Sequence, residues 1–524
     1  MFEQTESTPW YSSSAALIVA AILLPPLGLF LLWRRTDLNV QQRAFISLGL
    51  CALLAGYVYL FMIARRSSNE DHYAALERHR AQQRQQATQE AAALPANTNT
   101  QTTAAPAPAS SNAQQAGAAP VAATEADMAH KDDALKAGRN YWTDFRGPMR
   151  DGRYDEVAIR TNWPAEGLPQ LWKQPVGGGY ASFVVAEGRA ITIEQRRSQE
   201  VVAAYDVETG RELWTHGWTA EFRESLGGDG PRATPTWHDG RVYALGAAGE
   251  LRCLEAKSGK LIWNRNILSD NGAQNIDWGM AASPLVVDDK VIVLPGGSSG
   301  KSVVAYNRLS GAPVWKVLSD QASYTSPMLV TLAGRRQVIV VTASRIVGLA
   351  PEDGSLLWET PWQNGASINV SQPIVVDPNR FFISAGYGKG AALVEISGSG
   401  KSLSASKVWE NNSMKNKFNS SVLHQGYVYG LDEGILSCVD ARSGERKWKG
   451  GRYGYGQVLL ASGHLIITTE NGEVVLVRAT PDAHTELARF SSLEGRTWNT
   501  PALAGGRLLV RNATQMAAYN IAAQ

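Results

Sequence analysis

A chain of 524 residues exceeds one ordinary compact core unless that core is built from repeats. With 44% hydrophobic and 19% charged residues it has a globular composition, and a net charge of +2 excludes any global electrostatic case for nucleic acid or an acidic substrate. The unusual counts are 49 glycines and 16 tryptophans, which imply many tight turns and a repeated packing device.

Two uncharged apolar runs come first, Ala15–Trp33 and Ala44–Ala64, behind a short tail, 1–14. Each matches the roughly 20 residues that span a bilayer, so a two-helix transmembrane hairpin is expected. Pro25 and Pro26 interrupt the first run, where lipid tolerates a kink. A cleaved signal peptide is the competing reading; residues 1–14 hold no Lys or Arg and a second span follows directly, both against it. Arg34, Arg35 and Arg43 in the short loop favour a cytoplasmic loop with exported ends, while Arg65 and Arg66 argue the other way. The expectation is a multi-pass protein of the bacterial inner membrane, with the rest of the chain in the periplasm or outside.

Residues 65–90 mix Arg, Glu, Gln and Ala and suit a helical stalk continuing into solvent. The segment 91–138 opens with a long stretch of Ala, Pro, Thr, Asn and Ser without charges or aromatics, and is expected to be a disordered tether because it cannot bury enough apolar area to offset ordering.

From about residue 139 onward, short alternating apolar stretches separated by Gly, Asp and Asn give a β pattern. A unit recurs: AYDVETGRELW ending at Trp214, CLEAKSGKLIW at Trp263, AYNRLSGAPVW at Trp315, GLAPEDGSLLW at Trp358 and CVDARSGERKW at Trp448. Degenerate copies end at Trp409 and Phe490, and an isolated Leu171-Trp172 precedes the first full unit. Intervals from Trp172 of 42, 49, 52, 43, 51, 39 and 42 residues fit four-stranded blades, and the landmarks count eight. The all-β domain over 139–524 is therefore an eight-bladed β-propeller. The glycine four before each Trp permits a positive-φ turn, the Asp or Asn before it can hold the turn backbone, and Trp172, Trp214, Trp263, Trp315, Trp358, Trp409 and Trp448 are structural packing residues between blades. The C-terminus supplies three strands without a fourth, and Trp172 marks a fourth without its three, so the last blade is closed by the N-terminal strand. Cys253 and Cys438 each lie ten residues before the Trp of their unit, in units far apart in the ring; they read as small buried packing residues without a disulfide. No Cys-x-x-Cys-His and no paired Cys-x-x-Cys offers haem or zinc attachment.

The units resemble the repeats of pyrroloquinoline-quinone (PQQ)-type propellers, whose tryptophan-docking motif has this form. The stretch from Asn140 onward also resembles the PQQ-binding-like β-propeller repeat proteins, a group related to the propeller lipoprotein of the outer-membrane β-barrel assembly machine. YWTDFRGPMRDG (141–152), VGGGYASFVVAEGRAITIEQR (176–196), GDGPRATPT (228–236) and NKFNSSVLHQGYVYG (416–430) carry that resemblance. It implies the fold, and by its name alone PQQ with calcium. Quinone dehydrogenases of this superfamily use an adjacent Cys-Cys disulfide, acidic and amide calcium ligands and an Asp base; this sequence has no Cys-Cys pair and no alignable calcium set, so no catalytic residue, cofactor or metal is assigned.

In a propeller the loops leading into each inner strand, with those joining the second and third strands, ring one channel mouth. Those loops carry Tyr180, Arg232, Trp278, Tyr324, Asn369, Tyr455 and Trp498, with Asp229, Asp277 and Lys417 beside them, and Glu194, Arg196, Tyr387 and Lys389 in the second-to-third-strand loops. Aromatics mixed with charges at a concave mouth suit a ligand or peptide; alternatively they plug the channel and satisfy one another. Glu194 and Asp229 are acid/base candidates without an accompanying nucleophile or metal set. Three functions stay open: a membrane-anchored extracytoplasmic scaffold or binding module in cell-envelope protein assembly, with envelope proteins or peptides as partners; a quinone- or metal-dependent oxidoreductase; and a small-molecule or glycan binder.

Overall fold

The computed structural model describes residues 30, 32–33, 39–93, 142–400 and 402–523. The expected tail 1–14, nearly all of the first span and nearly all of the tether lie outside the described residues. Met1–Ala75 and Leu76–Gln524 form separate compact units.

One long helix, α1, runs from Val40 to Ala93. Its start is a capping box: Gln42 N–H donates to Asn39 Oδ1 at 2.8 Å, and Asn39 N–H donates back to Gln42 Oε1 at 3.0 Å. Val40–Tyr59 is apolar and long enough to cross a membrane, with a mean hydropathy of 1.2. It is the one such helix among the described residues, so the expected hairpin reduces here to a single candidate span. The expected stalk is helical, but it does not stand free in solvent, because Leu76 and Arg80 are buried.

Among the described residues, thirty-three strands form eight sheets, seven of four strands and one of five. Seven blades are consecutive antiparallel meanders: 184–219, 236–266, 285–317, 328–361, 374–411, 422–452 and 457–491. The eighth combines 502–504, 507–511 and 515–520 with the N-terminal strand 170–175, Trp172 opposing Ala518. Closure by the N-terminal strand follows the sequence expectation.

The repeat residues explain how the blades lock together. The acceptor side chain holds its own turn: Asp206 Oδ1 takes the N–H groups of Glu208 and Thr209 at 3.1 and 2.9 Å, and Asn307 and Asp440 do the same in their blades. The indole N–H of Trp172, Trp214, Trp263, Trp409 and Trp448 donates at 2.9–3.2 Å to the carbonyls of Val207, Ala256, Arg308, Ala441 and Thr480 in the following blade, and Trp315 reaches Pro351 at 3.2 Å. The repeat glycine has a second role that the turn argument missed. A methyl group on Gly311 would lie 2.8 Å from the Trp263 ring, and one on Gly259 would lie 2.4 Å from Trp214, because Trp172, Trp214, Trp263, Trp315 and Trp409 each pack on the next blade's glycine. Gly311, at φ 70°, therefore meets two constraints. Replacing it with Ala should cost about 2–4 kcal/mol through left-handed backbone and overpacking together, measured by denaturant unfolding.

Trp358 departs from the pattern. The fifth blade lacks the repeat glycine, and the Trp358 indole turns back to Gln337 Oε1 of its own blade. It lies over Gly348, the small position that Ala204 and Ala305 fill elsewhere. Cys253 and Cys438 fill the same position opposite Trp263 and Trp448; both are free and buried, and burial pushes both thiols up to about 12.

Residues 142–154 occupy the middle of the ring. Trp142 exchanges backbone hydrogen bonds with Val185 at 2.9 and 2.8 Å, Trp237 N–H reaches Thr143 at 2.9 Å, and Arg153–Tyr154 add a parallel strand beside Leu460–Ala461. Two fully buried arginines bolt this segment in place. Arg146 donates to the carbonyls of Ser421 at 2.7 Å and Val458 at 3.3 Å. Arg150 donates to the carbonyls of Ser283 and Pro327 at 3.2 and 2.9 Å and also reaches Pro284. It hydrogen-bonds Thr236 Oγ1 and pairs with Asp144, both at 3.2 Å. The segment thus touches inner edges of six blades and satisfies polar groups that closure leaves facing the channel.

One buried acid outside the channel gives a pH signature. Burial pushes Glu200 up to about 7 from 4.5, although its carboxylate accepts the Ala247 N–H at 2.9 Å. A raised folded-state value means the contribution to stability is complete below about pH 4.5 and is lost as pH rises towards 7. Glu200→Gln should remove this fall, gaining on the order of 2 kcal/mol at pH 8, read from melting temperature against pH.

Candidate functional site: an aromatic cavity at the channel mouth

The site is assembled from loops that a rigid ring holds in register. Each loop leads from an outer strand to the next inner strand, so its last residues arrive at the channel axis, and large side chains there converge. They enclose a cavity of about 360 Å³. Its wall carries Tyr180, Trp278, Tyr324, Tyr387, Phe418 and Trp498, with Arg232 and Lys417 as its charged members. Phe145 from the channel segment, with Ile368 and Val370, adds apolar surface, and Ser326, Asn419, Ser420, Gln457 and Thr500 add polar groups.

The aromatics form two banks. Tyr180, Trp498, Phe418 and Tyr455 follow one another with ring centroids 5.8, 5.1 and 5.1 Å apart. Trp278 and Tyr324 form the other pair at 5.7 Å. These offsets suit edge and tilted contacts. Hydrogen bonds fix the rings: Trp498 Nε1 donates to Glu470 Oε1 at 2.9 Å, and Gln457 Nε2 donates to the Phe418 and Trp498 carbonyls at 3.0 and 2.9 Å.

The two cations sit on aromatic faces. Arg232 lies 4.8 Å from the Phe222 centroid and 5.4 Å from Tyr180, and donates to the Gly228 carbonyl at 2.7 Å and to that of Gly230. Burial lowers its pKa, opposed by Tyr180, Glu224 and Asp229. Lys417 lies 4.9, 5.2 and 5.5 Å from the rings of Tyr455, Tyr387 and Phe418. Neither cation has a carboxylate within ion-pair distance among the described residues. Burial raises the phenol of Tyr180 and pushes that of Tyr324 up to about 12, so both stay protonated donors.

Seven of the fourteen expected residues line this cavity: Tyr180, Arg232, Trp278, Tyr324, Tyr387, Lys417 and Trp498. Tyr455 stands behind Phe418, and Asp277 acts on Tyr324 through its charge. Asp229 accepts the Glu224 N–H at 3.2 Å, within the loop overhanging the mouth. The remaining four are elsewhere. Glu194 is 0% exposed and ion-paired to Arg196 at 2.5 Å; burial alone would raise it, but Arg196, Arg511 and Arg80 outweigh burial and hold it below the usual carboxylate range. A sealed, ionised carboxylate is not poised for acid/base work. Arg196 is committed to Glu194 and to Glu212 at 2.6 Å. Asn369 is buried, its amide donating to the Thr342 carbonyl at 2.8 Å. Lys389 pairs with Glu410 at 2.5 Å and covers Trp362 at 4.6 Å.

Sequence reasoning missed Phe145, Leu226 and Gln457 as wall residues. Leu226, 72% exposed at the rim, sits in a connection whose length alone marked it as an overhang. Phe145 lies inside the YWTDFRG segment, which was legible only as part of a resemblance.

A calcium-held quinone requires carboxylate and amide ligands with a vicinal disulfide above the ring system. The cavity wall contains no carboxylate, Cys253 and Cys438 are buried within their blades, and no three His, Cys, Asp or Glu side chains among the described residues gather as a metal group. The residues at the mouth do not fit that cofactor.

The family described as outer membrane protein assembly factor BamB matches residues 197–450. The outer membrane protein assembly factor BamB of Yersinia pestis is 22% identical over 319 residues, covering 57% of this chain and 76% of that protein. A 1-butanol dehydrogenase (cytochrome c) of Thauera butanivorans is 29% identical over 151 residues, covering 28% of this chain and 21% of that protein. Among solved structures, a quinohemoprotein alcohol dehydrogenase from Pseudomonas putida superposes with a TM-score of 0.53 at 13% identity, covering 76% of this chain and 82% of that one. The repeat units, the eight four-stranded blades and the tryptophans seated between them make this a PQQ-like β-propeller, similar over residues 197–450 to the outer membrane protein assembly factor BamB family.

Proposed function

We propose that this propeller is a binding module for polypeptides of the cell envelope, taking an extended segment at its channel mouth in the course of protein assembly. The observation that carries the reading is the aromatic cavity lined by Phe145, with Arg232 and Lys417 in its wall and no carboxylate among its lining residues. Aromatic faces accept apolar side chains at low cost in conformational entropy, and two cations select a segment that also carries acidic groups. The similarity to proteins named as outer membrane protein assembly factors supports the same reading. The apolar stretch Val40–Tyr59 supports a propeller held at a membrane, and Arg34, Arg35 and Arg43 favour its export against the contrary charge of Arg65 and Arg66.

The test is a titration of the full chain with synthetic ten-residue peptides alternating aromatic and acidic residues, followed by tryptophan fluorescence. Replacing both Tyr324 and Trp498 with Ala should weaken binding by at least about tenfold, the usual effect of removing central aromatic anchors. Peptides with Lys in place of the acidic residues should bind more weakly than the acidic set. Equal affinity of the wild-type and doubly substituted chains would overturn the reading.

A further inference from the structure

The stalk helix does more than lead to the propeller. Arg80, 3% exposed, donates to Gln174 Oε1 and to the Pro175 carbonyl, each at 3.0 Å, both on the strand that closes blade eight. The same guanidinium lies 3.4 Å from Glu212 and 4.8 Å from the Tyr205 centroid, both in blade one. His79 and Gln83 reach Gln174 Oε1 at 3.0 and 2.9 Å, and Glu77 pairs with Arg197. About two turns of helix, residues 77–83, thus span the seam where the ring closes.

A buried ion network leads inward from that seat. Glu212 pairs with Arg196 at 2.6 Å and Arg196 with Glu194 at 2.5 Å. Glu194 accepts the Gly177 N–H at 3.1 Å, and Arg511 donates to the Gly177 carbonyl at 2.9 Å. Gly178 exchanges backbone hydrogen bonds with Gln195 at 2.9 and 2.7 Å, and Tyr180 N–H donates to the Pro231 carbonyl at 2.8 Å. This run delivers Tyr180 to the cavity wall. It is packed without slack: a methyl group on Gly177 would lie 2.6 Å from the Gln195 carbonyl, and one on Gly179 would lie 2.6 Å from that of Pro231. Such a loop is either seated or displaced; it does not deform smoothly.

We propose that residues 77–83 are a latch, and that their seating on the blade eight–blade one seam is linked through the Arg80–Glu212–Arg196–Glu194 chain to the placement of the 177–180 loop. Given the mouth reading above, on which this part rests, the latch thereby sets the shape of the ligand cavity. Removing Arg80 leaves Glu212 and Glu194 with one cation fewer in a buried cluster, which drives rearrangement of the groups that depend on them. Linkage is reciprocal, so a ligand that favours the seated loop also tightens the latch.

Hydrogen exchange on the full chain in detergent, without ligand, tests this. In Arg80→Gln, and in Glu77→Arg, exchange in 76–84 and in 177–181 should each quicken by about tenfold or more, with the strands of blade three unchanged. Combining Glu77→Arg with Arg197→Glu should restore both segments. Faster exchange in 76–84 with none in 177–181 would sink the linkage. Unchanged exchange in 76–84 in both single variants would sink the latch itself. Because no ligand is present, neither result depends on the peptide titration, whose failure would count against the mouth reading alone.

Discussion

Arg150→Ala is expected to lower unfolding stability by about 3–5 kcal/mol, the range seen when one member of a buried charged network is removed. The guanidinium donates to three main-chain carbonyls from two blades, to Thr236 Oγ1, and to Asp144, all in the closed centre of the ring. Truncation leaves those carbonyls without donors and Asp144 without its cation. The site also holds backbone strain, with Arg150 at φ 57° and Arg146 at φ 63°, conformations that persist only where the surroundings enforce them. Arg150→Lys keeps a charge but not the planar fork that reaches both blades at once, and should recover less than half of the loss. Urea unfolding followed by far-UV circular dichroism reads both variants; a loss below about 1 kcal/mol for the Ala variant would show that the bolt is dispensable.

The larger effect is expected from opening the ring. A chain lacking residues 142–175 loses the channel segment and strand 170–175 together, leaving 515–520 as an unpaired edge. An exposed edge of that kind templates association with other chains, so this variant should lose its cooperative transition and sediment as oligomers. Trp172→Ala probes the same seam without a free edge. It removes a ring stacked on Gly210 and an indole bond of 3.0 Å to Val207, and should cost about 3–5 kcal/mol while the chain stays monomeric. A cooperative, monomeric truncation variant would mean that seven blades and a fragment close without the N-terminal strand.

The repeat was readable because its constraint is local: Gly210 and Trp214 stand at fixed spacing within one hairpin, and the same hairpin recurs. Blade number, the closing strand and the packing role of Cys253 and Cys438 all follow from that periodicity. The mouth was half readable for the same reason, since residues at one repeat position arrive at one place; Tyr180, Tyr324 and Trp498 were found that way. What sequence could not show was burial. Glu194 reads in sequence as a candidate acid and becomes an ionised, charge-compensated strut because Arg196 pairs with it and the charge of Arg511 acts on it, from 2 and 317 positions away along the chain. Asn369 turns inward to bond the Thr342 carbonyl, although its place in the repeat is that of a mouth residue. Arg146 and Arg150 belong to no repeat, and the blade carbonyls they hold lie more than a hundred residues away. Arg80 sits in a helix whose charges read as solvated, and only the docked seam shows otherwise.

At five junctions, where Trp172, Trp214, Trp263, Trp315 and Trp409 stack on Gly210, Gly259, Gly311, Gly354 and Gly444 of the following blade, the contact is a plug and a socket, with one half carried by each neighbour. A gene segment encoding blade one, two or three therefore contains a socket for the blade before it and a plug for the blade after it, and duplicating that segment yields a compatible extra unit. The junction after blade four breaks this rule: Trp358 folds back on its own sheet, and Lys389 and Lys407 cover Trp362 in place of an indole in a glycine socket. That junction is held by side chains peculiar to it. With the junctions after blades six and seven, where Trp448 meets His484 and Phe490 meets Gly167, it marks positions from which the circular order can be counted.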